Sequence, residues 1–140
     1  MMQGEKMMEM VIHQTISKLS AEQIAGQVEA ACNKYSLALL QTYMYHDIVE
    51  SKGFPIQRKV FVYNICQAKT ASMMLTTNPE FSTFMPCTLA VYEADIKTVL
   101  STMNMGIMLE AVKSNEELYD QASNLFKTFT QMMEELATGK

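Results

Sequence analysis

The chain has 140 residues, 49% of them apolar and 19% charged, which fits one globular domain over 1–140 with a real core and leaves no room for a second. Eleven basic and 15 acidic side chains give a net charge of -4, and no segment gathers the Lys/Arg footprint that phosphate binding needs, so no nucleic acid is expected as a partner. No apolar run approaches the roughly 20 residues of a membrane span, and the opening Met1-Met2-Gln3-Gly4-Glu5-Lys6 lacks the apolar core of a signal peptide. The expectation is a cytoplasmic protein without a membrane partner; a periplasmic one whose signal had been removed would read the same way.

Residues 8 to 17 alternate, with Met8, Met10, Ile12 and Ile16 against Glu9, His13 and Thr15, and predict a first strand. Ser20 and Gln23 then form a capping box, and Leu19 and Ile24 stand where a hydrophobic staple would, opening a helix with the stripe Ile24, Val28, Ala31 and Cys32. Tyr35 to Tyr45 is apolar on both faces, as a central strand would be. Asp47 to Lys52 is short and polar, and Gly53-Phe54-Pro55 breaks the chain. Arg58 to Cys66 is a strand with Phe61, Tyr63 and Ile65 on one face and Val60, Val62, Asn64 and Cys66 on the other. Gln67 to Thr76 is a short helix stopped by Asn78-Pro79.

The prolines at 79 and 86 fence a loop that no helix can run through, and it releases the chain into the strand Cys87 to Glu93. Ala94-Asp95 turns this strand into a hairpin partner, Ile96 to Thr102. Met103 to Met108 reads as irregular. Ser114 and Glu117 form a second capping box, and the helix they open places Leu118, Ala122, Leu125, Phe129, Met132 and Leu136 at spacings of three and four, ending near Gly139. Strand, helix, several strands and a long amphipathic helix make an α+β pattern, with a mostly antiparallel sheet and its helices packed on one face.

Val62-Tyr63-Asn64-Ile65-Cys66 followed by Lys69, then Pro79-Glu80-Phe81, Met85-Pro86-Cys87 and Val91-Tyr92-Glu93, resemble in order and spacing the domain-of-unknown-function family 302. The likeness runs from about residue 8 to about residue 136. It implies a sheet gripping its helices on one side, of the TATA-binding-protein-like or helix-grip type, and a homodimer; it implies no catalytic activity. The chain departs from the family pattern where Gln67-Ala68 replaces an Asn-Pro-like pair and where Ala94-Asp95 lacks a glycine.

Three sets of residues carry candidate chemistry. Cys66 and Cys87, at a strand end and a strand start, are a candidate thiol or ligand pair, with Asn64, Lys69 and Pro86 beside them; as buried small hydrophobes they would do nothing but pack. His46 and His13 are the two histidines, too few for a triad or a multi-histidine zinc site within one chain, but His46 with Met44 offers axial donors for haem. Met103, Met105 and Met108, among 14 methionines, have a spacing suited to soft copper, or else fill a core, and Met7, Met8 and Met10 form a second cluster. Glu93 and Glu110 have no partner in the sequence pattern and read as solvated charges. The expectation for function is an uncharacterised homodimeric binding protein holding a small or soft ligand between the sheet and the long helix. Its alternatives are a haem- or copper-binding protein linked to redox or sulfur metabolism, and a thiol-dependent redox protein centred on Cys87.

Overall fold

A computed structural model of the chain describes residues 2–139. Five strands, β1 (Ile12–Ser17), β2 (Ala38–Met44), β3 (Val60–Cys66), β4 (Cys87–Ala94) and β5 (Lys97–Met103), form one sheet in the order β1-β5-β4-β3-β2. Every neighbouring pair is antiparallel. The helices are α1 (Met2–Val11), α2 (Ala21–Ala25), α3 (Val28–Lys34), α4 (Tyr45–Ser51), α5 (Ala68–Thr77), α6 (Gly106–Ala111) and α7 (Glu116–Thr138), with a 3₁₀ turn at Pro79–Phe84.

Register separates the two faces of the sheet. Tyr63 stands opposite Leu89, and Val91 opposite Leu100; these side chains are buried together with Phe61 and Ile65. Against them lie Ile24 of α2, Val28 and Cys32 of α3, and Leu125, Phe129, Met132, Met133 and Leu136 of α7. Removing each such side chain from water contributes roughly 1.5–3 kcal/mol. A smaller cluster, Met74, Phe81, Val112 and Leu118, ties α5 and the 3₁₀ turn to the start of α7.

The α+β architecture and the long-helix stripe match expectation, while several local readings are corrected. The start of the chain is helical to Val11, and only Ile12–Ser17 is strand; Gln, Glu, Lys and Met are good helix formers and outweigh a short alternation. The capping box at Ser20 is present, but the helix breaks at Gly26-Gln27 into α2 and α3. The strand β2 is an edge strand, not a central one: it pairs with β3 alone, and most of its side chains are exposed. Asp47 to Lys52 lies largely within a helix, α4. Part of the Met103 to Met108 run is the helix α6. The cap of α7 is Asn115, whose Oδ1 accepts from the Leu118 amide at 3.2 Å, not Ser114. Asp95 takes φ 57 in the two-residue β4–β5 turn, doing the work of the missing glycine, since Asp tolerates the left-handed region.

Phe129→Ala is expected to lower unfolding free energy by about 3–5 kcal/mol in urea denaturation. A loss under about 1 kcal/mol would show that α7 does not carry the core.

Candidate functional site

The loop fenced by the two prolines forms the 3₁₀ turn, with Pro79 at its first position where a missing amide costs nothing. The chain then enters β4 through a cis Met85-Pro86 bond. Across from this entry, β5 ends at Met103 and α6 begins at Gly106, whose amide donates to Asn104 Oδ1 at 3.0 Å. Two cavities meet between these segments over one end of the sheet. The inner, of about 350 Å³, is lined by Asn64, Met85, Pro86, Cys87 and Met105 among others. The outer, of about 520 Å³, is lined by Val11, Ile12, Ala90, Ser101 and Ile107 among others. Phe84, Thr88, Thr102, Met103 and Met108 line both, making one trough. No charged side chain is among its lining residues.

Six of the singled-out residues therefore lie around one trough: Asn64, Pro86, Cys87, Met103, Met105 and Met108. Met105 is buried at 7% and Met103 stands 40% exposed at the rim. The sequence reading missed Met85, Phe84 and Ile107. A third sulfur neighbour of Pro86-Cys87 was visible at Met85, but nothing in the pattern shows that α6 folds back over the sheet. The long helix does not line the trough, so the expected cleft between sheet and α7 is corrected to one between the sheet, the 3₁₀ turn and α6.

Other candidates separate. Ile65 stands opposite Cys87, so Cys66 is one residue out of register, on the opposite face from Cys87. Their Cβ vectors diverge, which disfavours a disulfide, and Cys32, Cys66 and Cys87 are all free thiols. Burial, with a smaller contribution from Cys66, pushes the Cys87 thiol up to about 11. Lys69 is exposed on α5 and lines neither cavity.

His46 lies at the other end of the sheet, where its Nδ1 accepts from the Val60 amide at 3.0 Å and its ring meets Phe61 edge-on at 5.1 Å. Val60 is five residues along β3 from Ile65, about 17 Å from the Cys87 end. The same Nδ1 lies 3.3 Å from the Val60 carbonyl, so this nitrogen faces the β3 backbone. Met44 stands at that same far end, paired with Phe61. His13 is on β1, its ring against Phe126 and its Nε2 buried without a partner among the described residues. Three strand spacings, about 14 Å, separate β1 from β3, so the two histidines do not form one haem set; His13 stands opposite Thr102, next to Met103 along the sheet but on the other face. Among the described residues no three His, Cys, Asp or Glu side chains gather as a metal site.

Both carboxylates expected to be unpartnered have partners: Glu93 Oε1 accepts from the Lys59 amide at 2.7 Å, and Glu110 pairs with Lys113 at 3.3 Å. A further groove, of about 200 Å³, lies between α2, α3 and the end of α7 and includes the 2.9 Å Lys34–Glu135 ion pair. Its polar mouth and smaller volume make it a weaker candidate than the trough. No helix of the described residues is long and apolar enough to cross a membrane.

The Cys87 shift has a pH consequence. Above its ordinary value of 9.0 the unfolded thiol loses its proton while the folded one keeps it to about 11, so stability is full below pH 9 and falls as pH rises towards 11. Cys87→Ala should flatten part of that fall, by on the order of 2 kcal/mol, in urea titrations at pH 8.5 and 10.5; an unchanged slope would place the thiol in water.

A solved structure described as an uncharacterized conserved protein DUF302 from Bacillus stearothermophilus is similar to this chain with a TM-score of 0.76 and 17% identity, covering 89% of this chain and 97% of that one. That likeness is one of fold. No curated protein matches the chain. The family described as "Domain of unknown function DUF302" matches residues 12–136, and the chain belongs to that family.

Proposed function

We propose that the chain is a homodimeric binding protein that holds a small apolar ligand in the trough between the sheet, the 3₁₀ turn and α6. The observation that carries this reading is the lining itself: a concave, uncharged wall of apolar and thioether side chains with a few polar groups, Asn64, Thr88, Ser101 and Thr102, placed to orient a guest. The thiol-enzyme reading draws less support, because a thiol pushed up to about 11 is protonated near neutrality and the thiolate is the nucleophile. Haem draws less again, given the bond that occupies His46 Nδ1.

Support for a dimer comes from the side of the sheet that no helix of the core covers. By register, Ile12, Gln14 and Ile16 of β1 share it with Val99 and Ser101 of β5, Ala90 and Tyr92 of β4, and Val62 of β3. Lys97, at the hairpin end, is the one charged side chain that register places on this face of the strands, and Ile16 is 52% exposed. A face of that composition is what association between copies uses. Three free thiols also suit a reducing compartment, which supports a cytoplasmic setting.

Two measurements test this reading. The dye 1-anilinonaphthalene-8-sulfonate should brighten on binding the purified chain, and Ile107→Asp, a change at an exposed rim position, should abolish most of that gain; equal brightening by both proteins would remove the trough from the argument. In light scattering at micromolar concentration the wild type should have twice the chain mass and Ile16→Lys the mass of one chain. A monomeric wild type ends the dimer proposal.

A further inference from the structure

We propose, resting on the reading of the trough as a ligand site, that its guest is an uncharged planar aromatic carbonyl compound whose oxygen accepts a hydrogen bond from the Ser101 hydroxyl. Among the described residues five Ser and Thr side chains are buried: Ser17, Thr70, Thr98, Ser101 and Thr102. Four have partners. Ser17 Oγ donates to the Ala137 carbonyl at 2.6 Å, Thr98 Oγ1 to that of Leu19 and Thr102 Oγ1 to that of Thr88 at 2.7 Å each, and Thr70 Oγ1 donates to Gln67. Ser101 is only 8% exposed, yet its Oγ meets no hydrogen-bonding group among the described residues. The one sealed side-chain nitrogen or oxygen without a partner among those residues is His13 Nε2, so the Ser101 oxygen opens onto a cavity, and the outer half of the trough is the cavity it lines. Buried polar groups of native proteins are nearly always satisfied. A hydroxyl left over beside a cavity marks the place of a guest's polar atom.

Register gives the guest its shape. Ile12 and Met103 stand side by side in one row across the open face, and Gln14, Ser101 and Ala90 in the next. Ala90 and Ser101, a directly opposed pair of short side chains on β4 and β5, make a low floor. Phe84, Met103 and Ile107 are exposed and stand around it. On the hairpin side the floor ends at a bridge over β5, where Gln14 Nε2 of β1 donates to the Tyr92 hydroxyl of β4 at 3.0 Å. A low floor between apolar walls takes a flat ring, and Phe84 with the Met103 thioether makes favourable contacts with an aromatic one.

Charge narrows the class further. None of the side chains lining the outer half is charged. Lys97, the charged side chain on this face of the strands, lies four residues along β5 from Ser101, about 14 Å away. A carboxylate or ammonium moved onto the floor would lose its hydration with no countercharge, whereas a carbonyl gains a donor in place of the water it gives up.

The experiment is fluorescence titration of the full purified chain with 6-propionyl-2-dimethylaminonaphthalene, an uncharged naphthyl ketone, followed by its displacement with three naphthalenes that differ at one position. 2-Acetylnaphthalene carries the carbonyl, 2-ethylnaphthalene lacks it, and 2-naphthoate puts a charge in its place. The wild type should bind the ketone probe saturably and take 2-naphthoate at least about tenfold more weakly than 2-acetylnaphthalene. Ser101→Ala should weaken 2-acetylnaphthalene about fivefold, the worth of one hydrogen bond, and leave 2-ethylnaphthalene unchanged. Ala90→Leu, which fills the floor, should weaken both by about tenfold. A wild type that ignores the probe, naphthoate bound as tightly as the ketone, equal losses of the acetyl and ethyl compounds in Ser101→Ala, or undiminished binding in Ala90→Leu would each overturn the proposal. So would a Ser101→Ala chain that turns monomeric in light scattering with its ligand affinities intact, because the hydroxyl would then meet a second copy. If the anilinonaphthalene dye still depends on Ile107 while Ser101→Ala does not discriminate the carbonyl, the trough stands as a site and this inference alone falls; a dye indifferent to Ile107→Asp removes the trough itself.

Discussion

The rest of the structure depends on the burial of one stripe of α7 against one face of the sheet. Phe129, Met132 and Met133 are almost wholly removed from water there, and they meet β3, β4, α2 and α3 in one cluster. A five-stranded antiparallel sheet with one apolar face has no other large cover in this chain, because α2 and α3 together span too few residues to hide it. Once α7 is seated, its N-terminal end fixes Leu118, and Leu118 gathers Met74, Phe81 and Val112 into the second cluster. That cluster holds the 3₁₀ turn and the approach to α7 in place, and so sets the two walls of the trough. The trough thus takes its walls from helix packing, and at its inner end Met105 and Cys87 join it to the main core.

The two faces of the sheet divide the molecule's tasks. Side chains towards α7 close-pack, with Leu89, Val91 and Leu100 at or near zero exposure. On the other side the chain places mostly small or uncharged groups, and only the end beside Phe84 and Ile107 rises into walls. Conversely, the polar and ionic contacts gather where the helices meet solvent: Lys59 with Glu22, and Lys34 with Glu135. Tyr35 and Lys34 hold the Glu135 carboxyl below its usual range. Such exposed pairs add little stability, but they keep charge away from the open face.

Much of the fold was legible because its strongest signals are periodic. Leu118, Ala122, Leu125, Phe129, Met132 and Leu136 announce α7 at helical spacing, and all six are buried. Phe61, Tyr63 and Ile65 announce the inner face of β3 in the same way. What failed was short or two-sided. Met8 and Met10 alternate with Glu9 as a strand would, yet a segment dominated by Met, Glu, Gln and Lys bends the same letters into α1. β2 looked central since nothing local says that its apolar side chains stand exposed at a sheet edge. The candidate site was legible residue by residue but not as a place. Cys87 and the methionine trio stood out by type, whereas the separation of His46 from them, and of Cys66 from Cys87, follows from strand order and from the two-residue period of a sheet.

The bulge in β2 bears on how the molecule resists polymerisation. Pairing with β3 skips a residue between Leu39 and Gln41, so the outer edge of β2 does not present evenly spaced amides and carbonyls. An incoming strand from another molecule would satisfy one half of that edge and lose register on the other. At the opposite margin, β1 is only six residues long, and a short edge strand offers few groups for an incoming strand to pair with. A chain with Met7, Met8 and Met10 exposed is thereby steered away from edge-to-edge fibres.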